Sequence, residues 1–303
     1  MGKDLKKHMQ QLLDDQSELA PIATGLKERV DHDGCMIKAF IFDIYGTLLV
    51  SSSGDINEAS FNTVNVQKAL IDAGYVIHDD LPEGAFDFML EDFRFTILEY
   101  HKKAKKSGVP YPEINIKNVW ADVLQRASDK LWITVRKESC LEKFILTFEV
   151  LSNSVFPMPG MAEVIEFFKE KNYPLGIVSN AQFYTPLIMN YYLNNDHLEE
   201  TVPPFDPDLT VFSYKLNKSK PDNYLFKKII PVLKEKYDIR PSETVFVGND
   251  MLKDIFTANS AGFKTALFAG DRRSLKMRKD SVENLHPDFV ITDLEQLKKL
   301  INV

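Results

Sequence analysis

KAFIFDIYGT occupies residues 38–47, and four of its residues, Ala39 to Phe42, form an uninterrupted apolar and β-compatible run. Such a run suits a strand buried on both faces of a parallel sheet. Asp43 follows, and Gly46 turns the chain away. A carboxylate is thereby placed at the carboxyl end of a core strand, where open α/β sheets bind ligands because the loops are free to vary and a following helix can present its N–H groups. An unpaired buried carboxylate is expensive, so Asp43 is expected to have a metal ion or a lysine beside it, or a chemical task. The plainer reading is a turn cap before a glycine.

Beyond this strand, residues 53–156 read as helices, and no strand is expected before Leu175. The stretch 56–73 stops at Gly74, and 84–106 carries Phe86, Met89, Leu90, Phe93, Ile97 and Tyr100 at helical spacing. Segments 115–130 and 137–152 repeat the period with Val119, Val123 and Ala127, then Leu141, Phe144, Ile145 and Phe148. The result is a four-helix insert, its aromatic stripe expected to be its own core, standing where a lid over Asp43 would start.

From Pro157 onward helices and strands alternate, with helices predicted at 160–172, 184–193, 221–236, 252–261 and 293–301. Strands are predicted at 174–178, 209–213, 244–247, 264–268 and 288–291. Alternation implies right-handed crossovers and a parallel sheet with helices on both faces. The fold class is therefore α/β, a Rossmann-like core over 38–52 and 157–303 interrupted by a helical domain over 53–156. Pro231 is expected to kink or split its helix, and 194–208, rich in Pro and Asn, to be a loop. Residues 1–37 form an N-terminal helical extension, with Leu5, Met9, Leu12, Leu13, Leu19 and Leu26 predicting one or two amphipathic helices between 5 and 30.

With 44% hydrophobic and 27% charged residues, the 303-residue chain has the composition of a soluble globular protein with a sizeable core. A net charge of -7 argues against nucleic-acid partners; the densest basic run, DRRSLKMRKD at 271–280, is interrupted by acids and reads as a solvated loop. Cys35 and Cys140 lie too far apart for a metal-ligand spacing, so neither a disulfide framework nor a zinc site is expected. The N-terminus is too polar for a signal-peptide core, and nowhere do eighteen apolar residues run together. No membrane partner and a cytoplasmic location are the expectations; the oligomeric state stays open.

Three further strand ends carry the polar groups that Asp43 would need. GIVSN puts Ser179 and Asn180 after a strand, where hydroxyl, amide and backbone N–H groups can hold an anionic oxygen. SKPD puts Lys220 at a helix entry, a point charge able to neutralise both a carboxylate and a phosphate. VFVGNDMLKD puts Asn249, Asp250 and Asp254 after another apolar strand, and hard oxygen ligands of this type suit Mg2+. Singly, each has an ordinary structural reading as a cap, a surface lysine or first-turn acids. Together, each at the same end of a predicted strand, they describe one site.

These four segments resemble the four motifs of the haloacid dehalogenase superfamily: DIYGT, VSN, KPD and GNDMLKD. The lead-in PMPGMAEVIEFFKEKNYPLGIVSN is similar too, and the helical insert corresponds in position to the family's C1-type cap. The resemblance implies a catalytic pair, Asp43 as nucleophile forming a covalent intermediate and Lys220 as its counter-charge. It implies that Tyr45, Thr47, Ser179 and Asn180 contact a small anionic, phosphorylated substrate, and that Asp43, Tyr45, Asn249 and Asp250 hold Mg2+. Two departures matter. The family's phosphatases carry a second Asp two residues after the nucleophile, where this chain has Tyr45, as 2-haloacid dehalogenases do; and the Gly-Asp of motif four is Gly-Asn, so either Asn249 or Asp250 is the metal ligand. The expected activity is a Mg-dependent phosphatase, with a metal-independent 2-haloacid dehalogenase and a non-catalytic binding module as alternatives.

Overall fold

A computed structural model describes residues 3–31, 34, 36–53, 61–195, 201–282 and 284–301. In chain order the elements begin with α1 (Lys3–Asp14), β1 (Ala39–Phe42), β2 (Leu49–Ser51), α2 (Thr63–Asp72), β3 (Val76–Ile77), α3 (Ala85–Lys106) and α4 (Ile116–Asp129). They continue with β4 (Ile133–Thr134), α5 (Leu141–Ser152), β5 (Val155–Pro157), α6 (Met161–Glu170), β6 (Leu175–Ser179), α7 (Thr185–Tyr192) and β7 (Thr210–Phe212). The last are α8 (Ser213–Leu216), α9 (Tyr224–Tyr237), β8 (Thr244–Gly248), α10 (Thr257–Ser260), β9 (Lys264–Phe268) and β10 (Phe289–Ile291). Two compact units result, one of residues 1–17 with 58–154, the other of 18–57 with 155–303.

In the second unit a six-stranded parallel sheet runs in the order β10-β9-β8-β1-β6-β7, flanked by helices, as the alternation predicts. β1 lies between β8 and β6, so the strand order reverses beside it, and the crevice of a doubly wound sheet opens at its carboxyl end. All four β1 residues are buried, with Phe40 stacked on Phe168 of α6 at 4.1 Å between centroids. Four or five consecutive buried residues in β1, β6 and β8 account for the unbroken apolar runs of the sequence.

The helical unit has its own aromatic core: Trp120 stacks on Phe93 at 4.3 Å and meets Phe144 and Phe148 edge-on at 4.7 and 4.8 Å. The stripe expected to be core is core. α1 belongs to this unit, where His8 Nε2 lies 2.6 Å from the buried Thr147 hydroxyl of α5.

Several expectations are corrected. Of the one or two helices expected before the first strand, one forms, α1, and it ends at Asp14: among the described residues the chain from there to β1 runs without helix, past Pro21 and Gly25, and Leu26 is exposed. This segment lies along the sheet instead, with Arg29 exchanging backbone hydrogen bonds of 2.8 and 2.9 Å with Val290 of the edge strand β10. Ile22 N donates to Asp271, and the Thr24 hydroxyl to Ala269 O. Covering an exposed edge in this way protects its unpaired N–H and C=O groups. Strands precede Leu175 after all, as the short pairs β2–β5 and β3–β4; two or three residues carry no periodicity to read. α9 runs through Pro231 undivided, since that proline faces solvent, where the Lys227 carbonyl it leaves without an N–H partner can meet water. The 252–261 helix starts as a π-helical turn, Met251–Phe256, before α10, and the last helix, Leu294–Leu300, is 3-10. Part of the helix expected over 56–73, part of the loop 194–208, and Cys35 lie outside the described residues.

Among the described residues no helix is long and apolar enough to cross a membrane.

Candidate active site

Four strand ends converge as the sequence predicts. Asp43 leaves β1 with its N–H donating to Val247 O of β8 at 2.9 Å, and its side chain is nearly buried. Lys220 reaches it from the segment before α9: the ammonium donates to Asp43 Oδ1 at 2.8 Å, to Asp254 Oδ1 at 2.6 Å and to Val178 O at 3.0 Å. With 3% of its surface exposed, Lys220 has each of its three protons directed to an acceptor. Burial works to lower its pKa, but Asp254 and Asp43 overcome that and hold it above the ordinary value.

Asp254 takes a role that motif spacing does not disclose. Its second oxygen accepts the backbone N–H groups of Asn249 and Asp250 at 3.0 and 2.9 Å, folding the fourth loop around a buried carboxylate. Burial, and after it the charges of Asp43 and Asp250, push that carboxyl up from the usual range, while Lys220 opposes them. Gly248 is required here, because a Cβ would stand 2.5 Å from Asp254 Cγ. Gly46 is required for a similar reason: its φ is +78°, and a Cβ would meet Ser274 Cβ at 2.5 Å and Asn249 Nδ2 at 2.6 Å.

The remaining predicted residues divide into two groups. Thr47, fully buried, donates to Asn249 Oδ1 at 3.2 Å, and Asn249 Nδ2 donates to Ser274 O at 2.6 Å. Ser179 ends β6, its buried hydroxyl making, among the described residues, a single 3.4 Å contact to Asn180 O. Asn180 and Asp250, by contrast, are engaged structurally. The Asn180 amide bonds the Lys220 peptide on both sides, accepting from its N–H at 2.8 Å and donating to its carbonyl at 3.2 Å. Asp250 Oδ1 accepts from Leu252 N and Lys253 N as a helix cap, and its Oδ2 accepts from Arg278 at 2.8 and 3.1 Å. The Tyr45 hydroxyl lies 2.9 Å from Thr185 Oγ1.

Arg278 was not singled out by sequence reasoning, and the run 271–280 is not the solvated loop expected. Asp271 and Ser274 are buried, and Lys276 N donates to Asn249 O at 3.1 Å. The signal was the basic run itself, whose acid-interrupted composition masked one arginine with a buried partner.

A nearly buried carboxylate stands at the end of an inner strand of a doubly wound sheet, countered by one buried lysine. The family model for haloacid dehalogenase-like hydrolases matches residues 37–262, and the chain belongs to that family. Among solved structures it is similar to a 2-haloacid dehalogenase from Pseudomonas syringae pv. Tomato DC3000, at 20% identity and a TM-score of 0.54 over 88% of this chain and 98% of that one. It is also similar to a HAD phosphatase from Thermococcus onnurineus, at 19% identity and a TM-score of 0.45 over 87% and 97%. No curated protein matches.

Proposed function

We propose that this hydrolase acts on a small anionic substrate, an acyl or aryl phosphate, by transferring the phosphoryl group to Asp43 and then to water. The observation that carries this reading is the divided state of the Asp43 carboxylate. Oδ1 is held by the Lys220 ammonium, while among the described residues Oδ2 accepts no hydrogen bond and is left to attack. Lys220 offsets the repulsion between carboxylate and phosphate, which is most of what phosphoryl transfer asks of a protein. The buried Ser179 hydroxyl, with one long contact, can donate to an oxygen of the transferring group, as can Thr47 if it leaves Asn249. Asn180 acts through Lys220, whose peptide it clamps.

The donor set suits Mg2+, which keeps several waters and needs only one or two carboxylates. Asn249 Oδ1, whose contact to Thr47 is long, and the lone pair of Asp43 Oδ1 that Lys220 does not take are the hard oxygens with capacity left, Oδ2 being kept for attack; Asp250 is taken up by Arg278 and its helix cap. Tyr45 could join through its backbone carbonyl, its phenol being bonded to Thr185. When bound, Mg2+ would add positive charge against the transferring oxygens.

Tyr45 narrows the substrate. A phenol with a reference pKa of about 10 is a poor proton donor near pH 7, so the leaving group should depart without a proton. The same residue favours a second reading, metal-independent release of halide from a 2-haloacid. A turnover screen with aryl phosphates, acyl phosphates and 2-haloacids, each with and without EDTA, separates the two. Phosphate release that EDTA abolishes supports the first, halide release that ignores EDTA the second, and turnover of none of them sinks both.

A further inference from the structure

The outer face of α3 is amphipathic in an unusual sense. Phe95 and Leu98, one turn apart, expose 62% and 65% of their surfaces, and they are flanked on the same face by the exposed charges Glu91, Arg94, Glu99 and Lys102. Single exposed apolar side chains are ordinary, but an exposed adjacent pair at the middle of a 22-residue helix is an unpaid surface. The order of the charges says what covers it. Reflected about the midpoint between Thr96 and Ile97, Phe95 exchanges with Leu98, Glu91 with Lys102, and Arg94 with Glu99. These three exchanges put apolar on apolar or acid on base; further out Phe88 falls opposite Lys105, its ring already covered by the Lys130 ammonium at 3.6 Å.

A helix face with that symmetry is complementary to itself run backwards, which is the requirement of an isologous two-fold contact. We propose that α3 pairs antiparallel with α3 of a second copy of this chain. Phe95 and Leu98 of one copy pack against Leu98 and Phe95 of the other, closed on each side by Glu91–Lys102 and Arg94–Glu99 pairs between the copies. Within one chain Lys102 makes only a loose 3.4 Å pair with Glu99, one turn away, so little is lost when it turns to a partner's Glu91. A partner of another sequence would have no reason to match a pattern centred on this helix's own midpoint. One helix pair buries less than a standard interface of roughly 1,200–2,000 Å2, so the dimer is weak and concentration-dependent.

Sedimentation velocity over a micromolar to millimolar series tests this on the full chain. The expected result is a mass rising from 34.7 kDa toward twice that value, with Leu98→Glu held at the monomer value throughout. Glu91→Lys, which sets two lysines against each other at both ends, weakens association by about tenfold, and Glu91→Lys with Lys102→Glu restores it. All three substituted side chains are in solvent in the monomer, and circular dichroism checks that the variants keep the native helix content. A wild-type chain that stays monomeric at millimolar concentration overturns the proposal. So does a dimer that survives Leu98→Glu, or a charge exchange that fails to restore what Glu91→Lys removes.

Discussion

Lys220 Nζ lies nearer to Asp254, at 2.6 Å, than to Asp43, the proposed nucleophile, at 2.8 Å. The lysine is therefore held in place by the fourth loop, and Asp43 receives one proton of an ammonium already positioned by Asp254 and Val178 O. Asp254→Asn should lower both stability and turnover. Breaking a buried pair outright costs roughly 3–5 kcal/mol; with Asp43 left as a partner, about 2 kcal/mol is expected from urea denaturation. An unchanged midpoint would mean that Asp254 is not the anchor.

Arg278 occupies Asp250 Oδ2 at 2.8 and 3.1 Å, and on the proposed reading this keeps that carboxylate from the metal. Arg278→Met should therefore expose that carboxylate and tighten Mg2+ binding, read by titration calorimetry on the apoprotein. Equal affinity in both proteins would place Asp250 outside the reach of the ion.

The acid limb of stability has a distinct owner at the other end of the sheet. Arg240 first, and then Lys38 at 2.7 Å, hold the Glu243 carboxylate down at about 2 from an ordinary 4.5. A lowered carboxylate contributes stability that is present above its unfolded value and lost as pH falls through the folded one. Between pH 4.5 and 2 the wild type should lose that contribution, and Glu243→Gln, which never had it, should show a shallower decline. Parallel acid denaturation curves would remove Glu243 from the account. Lys38 is partly exposed and Arg240 largely so, although Glu243 itself is largely covered, so the effect is small and shrinks with salt.

On the proposed reading Tyr45 decides between leaving groups. Restoring a carboxylic acid two residues after the nucleophile should raise the rate on alkyl phosphates by something on the order of 10²–10⁴, the usual worth of a general acid. The native chain should show a steep dependence on leaving-group pKa that Tyr45→Asp flattens. Equal slopes would deny Tyr45 that position in the reaction.

What was legible in the sequence was what burial writes into it. β1, β6 and β8 are covered on both faces, so their apolar runs are continuous, and the polar residues that end them stand out. The convergence of Asp43, Ser179, Lys220 and Asn249 follows from the strand order, and alternation alone predicts a sheet of that kind. What residue types could not disclose is which polar atoms spend themselves on one another. Asn180 and Asn249 are both loop amides, yet one clamps the Lys220 peptide while the other touches Thr47 and Ser274. Arg278 finds Asp250 across 28 residues, from a left-handed backbone with φ of 47°. The segment after α1 misled because Leu19 and Leu26 suggest helix, while its fixed points are backbone hydrogen bonds to β10, which leave no trace in composition.

The central claim is that Asp43 is the nucleophile, and Asp43→Asn tests it most directly. The amide is nearly isosteric and Lys220 keeps Asp254 as its ionic partner, so the variant should still fold, with a melting temperature lowered modestly by the lost Lys220–Asp43 pair. Its turnover of the best substrate from the phosphate and haloacid screen should fall to background. A folded Asp43→Asn protein that still turns that substrate over would contradict the account.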